Sequence, residues 1–145
     1  MSGRRLILGF VGFLVLFAAA LVWFQFYAFY ERQSGVGALT IDGEVVPVAD
    51  YQGIDATSSP LKLRACFRID PAAVATLAPA TDATPLVGPF WFHCFDAGRL
   101  TDDLAAGRLT AYRIAHDDPA GFDTLIAVAP DGEGYLWRQL NGEIE

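Results

Sequence analysis

The side chains best suited to form a metal or redox site in this chain are two cysteines and two histidines: Cys66, Cys94, His93 and His116. Thiolate and imidazole groups are preferred ligands of zinc and copper. The spacing argues against a shared metal, because His93 and Cys94 are neighbours and would point to opposite faces of a strand. No Cys-x-x-Cys motif occurs either. We therefore predict neither a metal site nor a cofactor.

The cysteine pair has three open interpretations. A structural disulfide is favoured, because an even pair in an exported domain is typically joined. Closing a loop of about 28 residues contributes roughly 3.5 kcal/mol in the chain-entropy model. Arg64 and Arg68 flank Cys66 at i−2 and i+2, and such cations favour a reactive thiolate. A redox or metal-binding pair, or two unpaired cysteines, are the alternatives.

The carboxylates and serines do not form a recognisable catalytic set. Asp102 and Asp103 are adjacent in a predicted helix, so their side chains diverge by about 100°. A favourable interaction with the dipole at the helix N-terminus explains these two carboxylates better than acid–base catalysis does. Ser58 and Ser59 lack the strand–turn–helix setting of a nucleophile elbow. The dipeptide His116–Asp117 falls in a predicted turn before proline. We predict no catalytic residues and no enzymatic activity.

Aromatic residues supply the remaining candidate site, an interaction patch of Trp91, Trp137 and Arg138. Packing in the core is the favoured interpretation of the two tryptophans, and an exposed sheet face that binds a protein or a small ligand is the alternative. The segment 137–140 also reads as an edge strand that another protein could pair with.

The elements that must position these residues follow from local patterns. Strict alternation over 61–69 predicts a strand, and the run 90–95 predicts an aromatic strand. Asp96 is a predicted N-cap for a helix that ends at Gly107, and Asp70 caps a short helix over 71–78.

The remaining segments are short strands and turns. Asp42–Gly43 predicts a hairpin between 39–41 and 44–46, whereas 48–60 reads as a loop. Strands are predicted over 109–115, 124–129 and 135–140. The expected fold class is α+β: a mostly antiparallel sheet with one or two helices, following an N-terminal transmembrane helix.

An uncharged run, residues 6–30, precedes all of these elements. As a helix it would measure roughly 37 Å, enough to cross a bilayer core. Arg4 and Arg5 predict a cytoplasmic N-terminus over 1–5. The organisation is then a transmembrane helix at 6–30, a linker at 31–38 and a periplasmic domain at 39–145. A cleaved signal peptide ending near 18–20 is the alternative, and it also exports the domain.

The exported part is strongly acidic. Residues 31–145 carry 8 basic and 17 acidic side chains, a net charge of −9. This charge repels phosphate backbones, so nucleic acid is not an expected partner. The lipid bilayer is the expected partner of 6–30.

Several segments resemble a family of small bacterial membrane-anchored proteins grouped as a domain of unknown function. They are 51–55, 58–60 with 64–67, 91–97 and 131–141. The resemblance covers nearly the whole chain, departs from the pattern at His93, where the family carries an acidic residue, and implies no activity. Members are sometimes labelled histidine kinases, but no phosphate-cradling motif occurs here.

Three functions stay open at this point. The favoured one is a non-enzymatic accessory protein, anchored in the bacterial inner membrane, whose periplasmic domain supports a membrane or envelope complex. The second is a periplasmic thiol-redox or metal-handling protein that uses Cys66 and Cys94. The third is a ligand-binding sensor domain.

Overall fold

The computed structural model describes residues 2–143. They form two compact units, of which the first ends at Tyr30 and the second begins at Glu31. The first unit is dominated by helix α1, Gly3–Phe26. No residue of α1 is buried within the structure, and the helix is long and apolar enough to cross a membrane. A signal sequence near an N-terminus has the same properties.

The second unit is an antiparallel sheet of seven strands with one α-helix, which confirms the α+β fold class. The strands are β1 Glu31–Ser34, β2 Ala38–Ile41, β3 Glu44–Asp55, β4 Arg64–Ile69, β5 Thr110–Ala115, β6 Phe122–Val128 and β7 Glu133–Leu140. Their order is β1-β3-β4-β7-β6-β5, and β2 pairs with the first part of β3. Helix α2, Ala97–Ala105, lies between β4 and β5 in the chain.

Side chains alternate along the strands, so both faces of the sheet bury apolar residues. One face carries the cluster Ile41, Val46, Val48, Tyr51, Leu63, Ala65, Phe67, Ile69, Val74, Ile126, Val128 and Leu136. The opposite face packs against α2 and the segment before it, through Phe95, Ala97, Leu100, Leu109, Ala111, Leu125, Ala127, Tyr135 and Trp137. The second face is the one that bears Cys66.

Local signals are confirmed for most turns and caps. The Asp42–Gly43 hairpin forms, with Ile41 opposite Glu44. The Asp96 carboxylate accepts from the backbone N–H of Arg99 at the start of α2. Gly107 follows that helix with a positive φ of 77°.

Three predicted segments are wrong. The loop expected over 48–60 is largely strand, because β3 continues to Asp55 through a bulge between Ala49 and Gln52. That bulge, with Asp50 at a φ of 54°, breaks the period-two pattern. The expected linker at 31–38 contains β1, paired with the end of β3. The helix expected over 71–78 is only a short 3-10 turn, Pro71–Ala73.

The aromatic strand predicted over 90–95 is also wrong, because this segment is irregular. The backbone N–H of Phe92 bonds to the carbonyl of Pro89 and closes a turn. Aromatic residues favour strands only where a neighbouring strand is available for pairing, and both sides of β4 are already occupied by β3 and β7.

Candidate functional site

The cysteine pair joins the sheet to the irregular segment before α2. Cys66 lies in β4 between Gln52 of β3 and Tyr135 of β7. Cys94 is two residues before the N-cap of α2. Their sulfur atoms are at disulfide distance, and their Cα atoms are 6.2 Å apart. The bond therefore fixes the loop onto the sheet instead of linking two strands.

A polar cleft of about 310 Å³ lies on one side of the cysteine pair. Cationic and anionic side chains both line it, among them Asp50, Arg68, His93, Arg99 and Glu133. The cleft is therefore of mixed charge, which suits a polar protein surface or a zwitterionic group better than a simple anion.

Tyr135 forms part of the floor of this cleft. Its hydroxyl donates to Oε2 of Glu133 at 3.1 Å. Burial, and then the adjacent Glu133 carboxylate, raise the pKa of Tyr135. The phenol consequently stays protonated at neutral pH and acts there as a hydrogen-bond donor.

A second cleft of about 330 Å³ adjoins the first and shares Gln52, His93 and Cys94 with it. Its wall is formed by Trp91, and the guanidinium carbon of Arg32 lies 4.5 Å from the centroid of that ring. This is cation–π geometry. Arg32 belongs to β1, at the border of the sheet.

Arg64 holds the start of the irregular segment that leads to Trp91 and forms the wall of the second cleft. Arg64 flanks Cys66 in the sequence, but its side chain is buried, with 5% exposed. Its Nε donates to the carbonyl of Leu86 at 2.8 Å, and its Nη2 donates to Val87 at 3.3 Å. Nη1 donates to the carbonyls of Leu61 and Leu63. One guanidinium thus ties the start of the loop to the start of β4.

Gln139 anchors the preceding stretch of the same loop. Its buried side-chain oxygen accepts from the Thr84 backbone N–H at 2.7 Å and from the Trp137 indole at 3.1 Å. Its amide nitrogen donates to the carbonyl of Asp82 at 2.9 Å. Sequence patterns do not reveal Gln139 or Arg64, because both occupy ordinary positions in alternating strands.

The two histidines lie in different environments. His93 is exposed beside the cysteine pair. His116 instead faces Asp123 through Nδ1 at 2.9 Å and Glu143 through Nε2 at 3.2 Å. Among residues 2–143, no group of three or more His, Cys, Asp or Glu side chains could hold a metal ion. The four candidate ligands are therefore not brought together.

Asp123, which is itself buried, is the centre of a polar network that includes exposed His116. Arg113 donates to its Oδ2 at 2.6 Å, and Asn141 donates to its Oδ1 at 3.0 Å. The backbone N–H of Asp117 donates to the same oxygen at 2.9 Å. Burial raises the pKa of Asp123, but these hydrogen bonds outweigh it, so the pKa is lower than usual.

The other sequence candidates have structural contacts. Asp103 pairs with Arg108 at 2.7 Å and with Arg99 at 3.7 Å. The Ser59 hydroxyl accepts from the Leu61 backbone N–H and caps the turn Pro60–Lys62.

The predicted interaction patch does not form as one surface. Trp137 is fully buried, with 0% exposed. Arg138 lies on the opposite face of β7 and pairs with Asp55 at 3.7 Å. The edge prediction for 137–140 is wrong as well, because β7 is central, between β4 and β6. Trp91 alone remains a surface candidate.

Fold and site together define a class of protein: one apolar N-terminal helix followed by an antiparallel α+β domain that has a cysteine pair at disulfide distance. Residues 37–145 match the model of a family of unknown function, DUF6446, and the chain belongs to this family. The match begins after the apolar helix and does not address anchoring. No match was found among curated proteins or solved structures.

Proposed function

We propose that this protein is a non-enzymatic accessory protein of the bacterial inner membrane, with its N-terminus in the cytoplasm and its α+β domain in the periplasm. The observation that carries the proposal is α1, in which no residue is buried and which precedes a separate folded unit. The uncharged part of this helix, residues 6–26, is unfavourable in water, and its length matches the roughly 20 residues that a bilayer core requires.

Two further features support the orientation. Arg4 and Arg5 precede the apolar run, and cationic residues favour the cytoplasmic side. The pair Cys66–Cys94 suits an oxidising compartment. The mixed-charge cleft supports the proposed accessory role, because it offers His93 and Arg99 to a polar partner surface.

Protease protection tests the topology. A tag placed after Glu145 should be digested in intact spheroplasts, and the protein should remain in the membrane after an alkaline wash. Release by the alkaline wash, or digestion of the tag only in inverted vesicles, would contradict the proposal.

Site-specific photo-crosslinking tests the accessory role. A photoreactive residue at position 93, within the cleft, should give one discrete protein adduct in native membranes. The same residue at exposed Glu44, on the β2–β3 hairpin, is the matched control and should give none. Monomer alone at both positions would count against a partner at the cleft.

One observation favours a second candidate function, thiol–disulfide exchange. Both cysteines are partly exposed and both line a cleft, with His93 beside them. A protein dithiol would reduce the bond and become oxidised itself. Thiol counting after acid trapping tests this role, and a pair that resists mild reductant would exclude it.

A further inference from the structure

The loop over residues 86–92 presents apolar side chains to the surface. It reads Leu-Val-Gly-Pro-Phe-Trp-Phe and contains no charged residue. Val87 is 84% exposed and Phe90 is 62% exposed. Pro89 is buried and the other members are half-buried. Large apolar side chains that are exposed together usually mark a surface that contacts another phase or molecule. We call these seven residues the aromatic loop.

The exposure is built into the fold. Arg64 holds the carbonyls of Leu86 and Val87, and the Phe92 N–H closes a turn onto Pro89. Cys94 then fixes the chain to β4. These contacts fix both ends of the loop, and Val87 and Phe90 are exposed between them.

The aromatic loop lies against the first strand that follows the apolar helix. Arg32 of β1 contacts the Trp91 ring and is only six residues beyond Phe26, the last residue of α1. Six residues span at most roughly 20 Å. A bilayer that holds α1 is therefore within short reach of this strand.

The chemistry of this surface matches a lipid headgroup region. Tryptophan is enriched at membrane interfaces, and a guanidinium binds phosphate well. The net charge of −9 in 31–145 disfavours general adsorption to anionic lipid, but the loop itself carries no acidic residue. Insertion of uncharged side chains into zwitterionic lipid does not depend on net charge.

We infer that the aromatic loop inserts Val87 and Phe90 into the interfacial layer of the bilayer that holds α1, with Arg32 against a lipid phosphate. This inference rests on the proposed membrane anchoring. It gives the domain a second attachment to lipid and limits how far it can rotate on its tether.

Quenching of tryptophan fluorescence in phosphatidylcholine nanodiscs with bromine on the upper acyl chain tests the inference. The chain has three tryptophans: Trp23 in α1, Trp91 in the loop and Trp137 in the core. In full-length Trp23→Phe protein, bromine should reduce the emission. In Trp23→Phe/Trp91→Phe protein this loss should disappear, because Trp137 is fully buried. Equal quenching in both variants would overturn the inference.

Substitution of the apolar tip gives a second readout that leaves Trp91 in place. Val87→Ser/Phe90→Ser in the Trp23→Phe background should lose most of the bromine quenching and gain quenching by aqueous iodide. Val45→Ser is the matched control, because Val45 is 74% exposed on the distant β2–β3 hairpin, and it should change neither signal. A Trp91 shielded from both quenchers would indicate a protein cover and would overturn lipid contact.

The two proposals fail in different ways. If Trp23 is not quenched by bromine deep in the acyl chain in Trp91→Phe protein, where Trp137 is buried, the anchoring proposal fails and the loop inference falls with it. If Trp23 is quenched and Trp91 is not, only the loop inference is overturned.

Discussion

Arg64 Nε lies 2.8 Å from the carbonyl oxygen of Leu86, a contact that spans 22 residues of sequence. The guanidinium is buried and also donates hydrogen bonds to the carbonyls of Leu61 and Leu63, which precede β4. Because five donors lie in one rigid plane, a single side chain fixes both the entry to β4 and the start of the aromatic loop.

Arg64→Lys should therefore loosen the aromatic loop. A lysine ammonium cannot reach both groups of carbonyls, so we expect a loss of about 2–4 kcal/mol in unfolding free energy. Amide hydrogen exchange over 86–92 should accelerate in the same variant. Arg68→Lys is the control, since exposed Arg68 makes one backbone hydrogen bond, to Asp131, and should change stability little. Unchanged exchange in Arg64→Lys would contradict this role.

Removal of the cysteine pair should lower stability by roughly 3.5 kcal/mol in the chain-entropy model. Cys66→Ala/Cys94→Ala avoids leaving polar groups in partly buried positions. Denaturant unfolding of this variant should match that of the reduced wild-type protein. Proteolysis within 79–96 should also become faster, because this segment loses its covalent attachment to β4. Equal stability of the wild type with and without reductant would refute the prediction.

Gly134→Ala tests the close approach between β7 and β4. Gly134 is directly opposite Phe67, and a Cβ at this position would overlap the Phe67 ring. We expect a cost of about 1–3 kcal/mol by overpacking, measured by denaturant unfolding. Gly98→Ala in α2 is the matched control, because its nearest neighbour would be 3.6 Å away. The added variant Phe67→Leu should recover part of the loss, and strict additivity would argue against direct overlap.

Asp123 should make stability fall in acid. Its pKa is lowered in the folded state, so the unfolded chain binds the proton first, at a pKa near 4. The stabilisation is present above that value and is lost as the pH falls through the lower folded pKa. Unfolding free energy measured from neutral to acidic pH should show this slope in the wild type.

Asp123→Asn provides the comparison. It should cost about 1–3 kcal/mol at neutral pH, because a neutral amide accepts weaker hydrogen bonds from Arg113 and Asn141 than the buried carboxylate does. The unfolding free energy of this variant should fall less steeply with decreasing pH than that of the wild type. Asp42→Asn, in the exposed hairpin turn, should keep the wild-type slope. Parallel curves for the wild type and Asp123→Asn would show that Asp123 is not responsible.

Much of the sheet was predictable because its signals are local. Alternation over 61–69 reports which side chains face the core, and short apolar and aromatic runs bounded by turn residues predict the strands over 109–115, 124–129 and 135–140. Asp96 and Gly107 mark the ends of α2 through hydrogen bonding and backbone geometry within a few residues. The apolar composition of 6–30 predicted a long apolar helix equally directly.

The site depended on tertiary structure, because its residues meet only after the strands have paired. The pairing of β7 with β4 and β6 turns a predicted edge into the centre of the sheet and buries Trp137. It also leaves no vacant position beside β4 for 90–95, so these residues form a loop and expose Phe90 instead. Local sequence fixes which residues can form a strand, but the hydrogen-bond partners that remain available are decided by segments far away in the chain.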